Sequence, residues 1–449
     1  MRYSCVLLCL FLVSTGIAAD QQAERGVLAL SLKRAVQLAI SPDGNAQIQL
    51  SGEALKQAES RSAQARAALL PDISSYLSYT DQTRNLRAFG LGFNIQTIPG
   101  YSYSFPSLVG PFGVMDARVS GSQSVFDISS IRRLQSAHAG ISAAKSDTQS
   151  MEEKVAAQVA RAYLSAIRAD AEVETAHANV TLSQAVLNQS ENQKGAGTGT
   201  GIEITRARVQ LANDQQRLLV AENARRTAHL QLLRVMDLSL DIELDLTDKL
   251  GMVPVDAITL ERAKAQAFAD RPDLKAQLER ETSTRLSASA TKLERVPSLS
   301  VFGDYGVVTS YLDEGVPTRA VGVNIRIPIF DGGRMDARRA EAASQYRAEI
   351  VRTKELREQI ELDVRLALDA LHSAEEQVKV ARDGLRLAEN ELAQARRRYE
   401  SGVAFSLEVT DAQTRLERAR DNQTEALYNY NLARIDLEQS MGHVRSSVQ

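Results

Sequence analysis

Two short motifs contain an aspartate that could either bind a ligand or cap the N-terminus of a helix. The segment Asp331-Gly332-Gly333-Arg334 has the composition of a ligand-binding loop. It equally suits a sharp turn from a strand into a helix, because glycine accepts unusual backbone conformations and aspartate caps helix N-termini. Asp127, followed by Ser129, repeats the arrangement earlier in the chain. We favour the structural interpretation and predict strand-to-helix turns at both aspartates.

The other residues able to carry chemistry form no catalytic or metal-binding pattern. The sequence contains no nucleophile elbow, phosphate loop or convergent carboxylate pair, and its seven methionines are unclustered. The five histidines, which lack metal-ligand spacing, are His138, His177, His229, His372 and His443. We therefore predict no catalytic residue, no cofactor site and no metal site, and we expect the protein not to be an enzyme.

The N-terminus has the order of a secretory signal peptide. Arg2 precedes an apolar run from Val6 to Val13, and small residues follow. We predict a signal peptide over residues 1–19; an uncleaved anchor is the alternative, but the run is short for a membrane span. Cys5 and Cys9 both lie inside it, so the exported chain has no cysteine. A formal net charge of -3, with charges of both signs mixed along the chain, argues against a nucleic-acid partner.

An internal repeat divides the chain into two halves with one layout. The segment Thr205–Leu211 corresponds to Thr410–Leu416, and other positions share the same offset. We predict a first structural repeat over residues 20–258 and a second over residues 259–449. Each repeat is expected to begin with a helix, continue through two strands and end in a long helical hairpin.

Long heptad patterns predict the hairpins. In the second half, apolar residues recur at alternating steps of three and four from Val364 to Tyr399, and the series resumes after Gly402. A seven-residue repeat of this length indicates a left-handed coiled coil. We predict helical hairpins over residues 131–237 and 334–441.

The segments between the helices have the period of strands. From Arg319 to Phe330, aliphatic residues alternate with small or polar ones, as in a barrel wall between lumen and lipid. The predicted strands are 72–84, 114–126, 298–312 and 318–330. Four strands cannot close a membrane barrel, since bacterial examples begin at about eight, whereas three chains would supply about twelve. The arithmetic predicts a homotrimer.

In the order of its motifs the mature chain resembles the TolC-type outer-membrane efflux proteins over nearly its whole length. The motifs are Leu260-Glu-Arg-Ala263, Leu70-Pro71, Ile327-Pro-Ile-Phe-Asp-Gly-Gly-Arg334, Tyr399-x-x-Gly402 and Ala412-Gln413. The resemblance implies an α+β membrane protein: a trimeric outer-membrane β-barrel, four strands per protomer, continuous with a long periplasmic α-helical coiled-coil barrel. It further implies a Gram-negative outer membrane, a periplasmic adaptor protein, an inner-membrane pump and a passive exit channel.

Two sets of candidate residues follow from this layout. The hairpin tips, where the resemblance implies adaptor docking, contain Gly195, Gly197, Gly199, Gly201, Gly402, Val403 and Ala404. The candidates for side chains facing the duct or the barrel lumen are Asp170, Glu375, Asp304, Asn324 and Arg326. Asp170 and Glu375 share one repeat position and interrupt the apolar seam, so a solvated outer face is an alternative for them. The tips depart from the usual adaptor-contact sequence.

Three functions remain open at this point. The favoured one is an exit channel for small molecules such as drugs and solutes. The second is the outer-membrane duct of a type I protein-secretion system, which needs an almost identical channel. The third belongs to another class, a periplasmic coiled-coil scaffold without a channel, which explains the heptads but leaves the paired strands unexplained.

Overall fold

The computed structural model describes residues 27–41, 44–90, 94–95, 103–104, 106–254, 258–311 and 315–447. The predicted signal peptide, residues 1–19, lies outside these ranges. None of the helices in the described ranges is long and apolar enough to cross a membrane.

In the first half of the chain, the described residues form four α-helices and most of the strands. Its helices are α1 (Leu32–Ala39), α2 (Ala46–Ala67), α3 (Ile128–Gly195) and α4 (Gly201–Val235). Its strands are β1 (Val27–Leu30), β2 (Asp72–Asn85), the short pair β3 (Asn94–Ile95) and β4 (Tyr103–Ser104), β5 (Leu108–Phe126) and β6 (Glu243–Leu246). A 3-10 turn at Leu86–Phe89 follows β2.

In the second half, the structure describes five helices and two strands. The helices are α5 (Leu260–Asp270), α6 (Pro272–Leu293), α7 (Arg334–Glu400), α8 (Ser406–Met441) and α9 (Val444–Ser447). The strands are β7 (Ser298–Thr309) and β8 (Val316–Arg326). In α3 and α7, with 68 and 67 residues, the rise of about 1.5 Å per residue gives rods of roughly 100 Å.

The long helices pack side by side through alanine-rich seams. α3 packs against α2, α6, α4 and α8, while α7 packs against α6 and α8. One buried cluster surrounds Tyr163 on α3 and Leu232 on α4, and a second joins Val364 on α7 to Leu437 on α8. Small side chains such as Ala160 let the helix axes approach closely, and large ones fill the space between them.

Four strands form one antiparallel sheet in the order β2-β5-β7-β8. A separate parallel pair joins β1 to β6 beside the helices. There the buried Tyr163 hydroxyl donates to the Leu30 carbonyl at 2.8 Å and to Asp248 Oδ2 at 3.0 Å. This contact fixes the small sheet to the middle of α3.

Several predicted boundaries were wrong by a few residues. β5 begins at Leu108, because Leu108 and Val109 continue the pairing with β2 beyond a bulge at Gln82/Arg84. β8 ends at Arg326, opposite Ser298, and not at residue 330. Pro328 lacks the N–H that a longer ladder needs. α3 begins at Ile128, before the predicted start of the first hairpin at residue 131. α4 ends at Val235, before the predicted end at residue 237.

Candidate functional site

The four-stranded sheet has one polar and one apolar face. Odd-numbered residues pair with odd-numbered residues across the sheet, as in Val301↔Val323 and Tyr305↔Arg319, so they share a face. That face carries aliphatic and aromatic side chains that are widely exposed, among them Ile73, Leu77, Tyr79, Val119, Tyr305, Val321, Val323 and Ile325. Val321, at 86% exposure, marks a surface that no other described part of the protomer covers.

Even-numbered residues form the polar face, and charged side chains meet there. Arg118 on β5 forms an ion pair with Asp304 on β7, and its Nη2 donates to Thr318 Oγ1 on β8 at 3.1 Å. Its Nε lies 3.4 Å from Asp116 Oδ1, and the Tyr76 hydroxyl donates to Asp116 Oδ2 at 3.2 Å. This group links all four strands on one face.

Of the predicted lumen residues, Asp304, Asn324 and Arg326 all lie on this polar face. Asn324 pairs with Ser300, and Arg326 pairs with Ser298, toward the helix end of the sheet. Sequence reasoning missed Arg118, the direct partner of Asp304, and Asp116, which contacts Arg118 from the other side. The sequence does contain a pattern that could have identified them. Polar residues alternate along β5 with the same period of two as in β8: Asp116, Arg118 and Ser120.

The two strand-to-helix turns differ in detail. Asp127 is the N-cap of α3: its Oδ1 accepts from Ser129 N at 2.9 Å and Ser130 N at 3.3 Å, and both serine hydroxyls also donate to it. Burial raises the pKa of Asp127, but these hydrogen bonds outweigh burial and lower the pKa below its ordinary value. The carboxylate therefore stays ionised where the helix dipole favours it.

We expected Asp331 to cap α7, but the N-cap is Gly333, whose φ of 85° is a value that glycine adopts readily. Gly332 also has a positive φ, 70°. Asp331 instead accepts from Met335 N at 2.8 Å, inside the first turn of the helix. Two successive left-handed residues, Gly332 and Gly333, place the aspartate two residues before the N-cap position, which explains the difference from Asp127.

The first hairpin turn is built on its glycines. α3 ends at Gly195 and α4 starts at Gly201, with Gly197 between them at φ 79°. A Cβ at Gly199 would lie 2.9 Å from Lys194 N, so the close return of the chain requires glycine. A capping box between Thr200 and Glu203 begins α4.

The second hairpin turn is shorter and more apolar. Gly402 has a φ of 72°, and Val403 and Ala404 follow it toward α8. The next residue, Phe405, is 81% exposed and was not among the predicted tip residues. A large exposed aromatic at the end of a rod is the residue type that protein interfaces use as an anchor.

The two hairpins of the protomer pack together close to their tips. Val186 and Leu187 of α3 share a buried cluster with Leu392 and Tyr399 of α7. The Tyr399 hydroxyl lies 3.3 Å from Ser190 Oγ. Both turns are therefore held at one end of the molecule.

A polar cavity of about 730 Å³ separates the hairpins farther up, between α3, α4 and α8. Arg217 of α4 forms an ion pair with Glu417 of α8, beside the buried Asp214, which accepts from Ser183 and Gln210. Burial, and then the nearby Asp214 charge, raise the pKa of Glu417. Burial also raises the pKa of Asp421 in the same cavity. The charged residues that line this cavity were not predicted from the sequence.

Asp170 and Glu375, the two repeat-equivalent acids, have unlike partners. Asp170 lies 3.0 Å from His229 Nε2 of α4, at the edge of a cavity of about 450 Å³ beside β6. Glu375 pairs with Lys379 one turn along α7 at 3.2 Å. The fold does not bring the two acids together, and their exposure to a duct stays a prediction.

Within the described ranges, no three histidine, cysteine, aspartate or glutamate residues are grouped so as to hold a metal ion.

The sequence matches the family model described as outer membrane efflux protein over residues 43–236 and 264–443, which include both predicted hairpins and all four strands of the large sheet. The chain belongs to the outer membrane efflux protein family. The resemblance to TolC-type proteins is thereby confirmed, and so is its localisation to the outer membrane.

Relatives of this efflux protein work in different export systems. It is 24% identical over 394 residues to the pyoverdine export outer membrane protein OpmQ of Pseudomonas putida, covering 86% of this chain and 81% of the relative. It is 22% identical over 317 residues to the alkaline protease secretion protein AprF of Pseudomonas aeruginosa, covering 69% and 65%. The predicted role as an outer-membrane component of an export system is confirmed at this level.

The fold agrees with a solved outer-membrane channel. The structure matches CmeC of Campylobacter jejuni with a TM-score of 0.78, at 15% identity, over 98% of this chain and 94% of that one. The predicted combination of a small strand region with long helical hairpins is confirmed as the fold of such channels.

Proposed function

We propose that this efflux protein is the passive exit duct of a tripartite export system, closed as a homotrimer and conducting small molecules out of the periplasm. The single observation that carries the proposal is the four-stranded sheet, apolar on one face and polar on the other, continued by helical hairpins. A sheet of this pattern suits a wall with lipid outside and water inside. Transport along such a wall needs no catalytic group, and we propose no enzymatic activity.

The open edges of the sheet support the trimer. β2 and β8 lie at its two ends, so each presents unpaired backbone groups along one side. Unpaired groups in hydrocarbon cost several kcal/mol each, so a membrane sheet must close on itself. Pairing β8 of one protomer with β2 of the next closes three sheets into a ring of about twelve strands, an even number as in other bacterial barrels.

The outer faces of two helices support the same assembly. Ile202 and Val209 of α4 are exposed and seven residues apart, and Val380 and Leu387 of α7 have the same spacing. Residues seven apart lie on one face of a coiled coil. We infer that α4 of one protomer packs against α7 of its neighbour, which would extend the barrel below the membrane.

The hairpin tips are the proposed docking surface for a periplasmic adaptor, and through it an inner-membrane pump. The seven tip residues predicted from the sequence lie on or beside the two turns, and Phe405 adds an exposed apolar anchor. We expect Phe405→Ser to weaken adaptor binding while single-channel conductance is unchanged.

The cargo is proposed from the relatives. OpmQ, which the chain covers more completely, is named for the export of pyoverdine, and AprF for the secretion of a protease. The longer match favours a small molecule, and protein secretion is the second candidate. Export of small fluorescent solutes and of a secreted protease from cells that carry either type of pump would separate the two.

The experiment that tests the duct is reconstitution of the detergent-extracted protein into a planar bilayer, with the mass measured on the same sample. A trimer with a stable single-channel conductance is the expected result. A soluble monomer, or an assembly that never conducts, would overturn the duct and favour the periplasmic scaffold. A scaffold would also wash off membranes in salt, whereas a barrel needs detergent.

A further inference from the structure

We propose that Asp116, Arg118 and Asp304, here called the strand triad, set the ion preference of the duct at the level of the sheet and make it favour cations. The inference rests on the proposed channel function and adds to it the residues that discriminate between solutes by charge.

The triad is a single connected group. Arg118 pairs with Asp304 on one side and approaches Asp116 on the other, with 3.4 Å between Nε and Oδ1. Its three side chains are 18–23% exposed, so they are shielded but reach water. The large apolar residues on the opposite face, such as Val321 and Tyr305, are far more exposed.

The charges in the triad do not balance. Two carboxylates surround one guanidinium, which leaves a net charge of -1 per protomer. The remaining contacts are neutral: Thr318 accepts from Arg118, and Tyr76 donates to Asp116. Asp116 Oδ1 is buried and accepts no hydrogen bond from the described residues; its contact with Arg118 Nε at 3.4 Å is an ion pair.

The other charges of the polar face lie toward the two ends of the sheet, away from the triad. On the even-numbered positions of the four strands, the other charged residues are Asp72 and Arg326 at the helix end of the sheet and Arg84 at the opposite end, where its Nε donates to Gln82 Oε1 at 3.1 Å. Arg319 and Asp81 lie on the odd-numbered face. Asp116 pairs with Ser78 and Asp304 with Ala320, so these other charges lie six residues along a strand from the triad, about 20 Å at 3.3 Å per residue. That separation exceeds the Debye length of about 10 Å at 0.1 M salt, so the triad is the net negative charge at its own level of the wall.

Three protomers would repeat the triad around the wall at one level. Charges act on ions within a Debye length of about 10 Å at 0.1 M salt, and rings of carboxylates favour cations in channels. The effect should decline as salt shortens that distance to about 3 Å at 1 M.

The test is a charge series on the full protein in planar bilayers, with reversal potential measured across a gradient of KCl. Arg118→Gln leaves -2 per protomer, the unchanged protein -1, Asp304→Asn or Asp116→Asn leaves 0, and the double Asp→Asn variant gives +1. We expect the K⁺/Cl⁻ permeability ratio to change by about twofold per step at 0.1 M and to converge at 1 M.

Controls separate this inference from the proposed function. Arg319→Gln changes the charge of β8 on the opposite face and should leave the reversal potential unchanged. The Asp→Asn variants keep the shape of the side chain and one acceptor oxygen, so the series remains measurable if Arg118→Gln fails to assemble. An unchanged protein that does not conduct overturns the duct itself. Conducting variants that share one reversal potential overturn the triad alone.

Discussion

Arg217 of α4 and Glu417 of α8 form an ion pair that joins the two helical hairpins of one protomer. The guanidinium is 60% exposed, while the carboxylate is 8% exposed and lies near the fully buried Asp214. Two buried carboxylates thus share one arginine at the edge of the interhairpin cavity. This arrangement makes the contact asymmetric, because the loss of the arginine leaves two buried charges without a cation.

Removing the arginine should cost more stability than removing one acid. We expect Arg217→Ala to lower the free energy of unfolding by about 1–2 kcal/mol, because the buried carboxylates lose their partner while Arg217 itself is largely solvated. Glu417→Gln should cost little or nothing at neutral pH, because glutamine resembles the protonated acid and the folded state disfavours the ionised form. Urea unfolding of the detergent-solubilised protein measures both.

The control for this pair is Arg208→Ala. Arg208 and Glu191 form an ion pair at 3.0 Å within one hairpin, and both are well exposed. Exposed pairs contribute about 0–1 kcal/mol, so we expect a change at the low end of that range. Equal losses for Arg217→Ala and Arg208→Ala would show that burial of Glu417 has no energetic role.

Stability should rise as the pH falls from neutral toward 4.5. The folded state raises the pKa of Glu417 above its ordinary value of 4.5, mainly through burial and then through Asp214. A folded state that binds a proton more tightly gains stability as pH falls through the raised pKa, and the gain ends near the unfolded value. Melting temperatures from pH 7.5 to 4.5 should therefore increase, and Glu417→Gln should flatten the slope.

Below that window the sign reverses. The pKa of Asp127 is lowered from its ordinary value of 3.8, so its stabilising contribution exists above that pH and is lost as pH falls further. A melting temperature that declines steadily from pH 7.5 to 4.5 would contradict the assignment of Glu417 as a buried acid.

The caps of the two long helices should differ in strength. Asp127→Ala removes an acceptor that serves Ser129 N and Ser130 N, and we expect a loss of about 1–2 kcal/mol. Asp331→Ala removes an acceptor for Met335 N alone and should cost about 1 kcal/mol or less. Thermal unfolding of both variants, with Asp127→Ser as the partial rescue, measures the difference. A larger loss at Asp331 would refute the assigned capping roles.

The second hairpin turn should tolerate no side chain at Gly402. Its φ of 72° lies in the left-handed region, where a Cβ costs about 1–2 kcal/mol, so Gly402→Ala should destabilise the turn. Gly195 ends α3 with open space around it, and Gly195→Ala should be neutral or stabilise by up to about 1 kcal/mol. Limited proteolysis at the tips compares the two; equal cleavage would count against the conformational argument.

The elements that depend on local periodicity could be predicted well. Apolar residues at steps of three and four mark α7 and α8, and strict alternation marks β8, because both patterns follow from the geometry of a single segment. The assignment to an outer-membrane export family also followed from short motifs in their order. The end of β8 and the cap of α7 were wrong, since Pro328 and two left-handed glycines act within a few residues.

The contacts between segments distant in sequence could not be predicted. Arg118 meets Asp304 across 186 residues, and Arg217 meets Glu417 across 200. One contact requires the register between β5 and β7, and the other requires the rotation of two helices about their axes. Neither the strand register nor the helix rotation can be deduced from the hydrophobic period of a single segment.

The sequence by itself was enough to predict a signal peptide, the duplicated layout, the coiled-coil hairpins and the polar and apolar faces of the strands. Tertiary structure decided which charges share a face and which are buried: the strand triad, the Arg217–Glu417 pair and the unlike partners of Asp170 and Glu375. The physical reason is that hydrophobic periodicity shows only which side of a single helix or strand is buried. Charge pairing depends on the distance between two segments, which exists only after they pack.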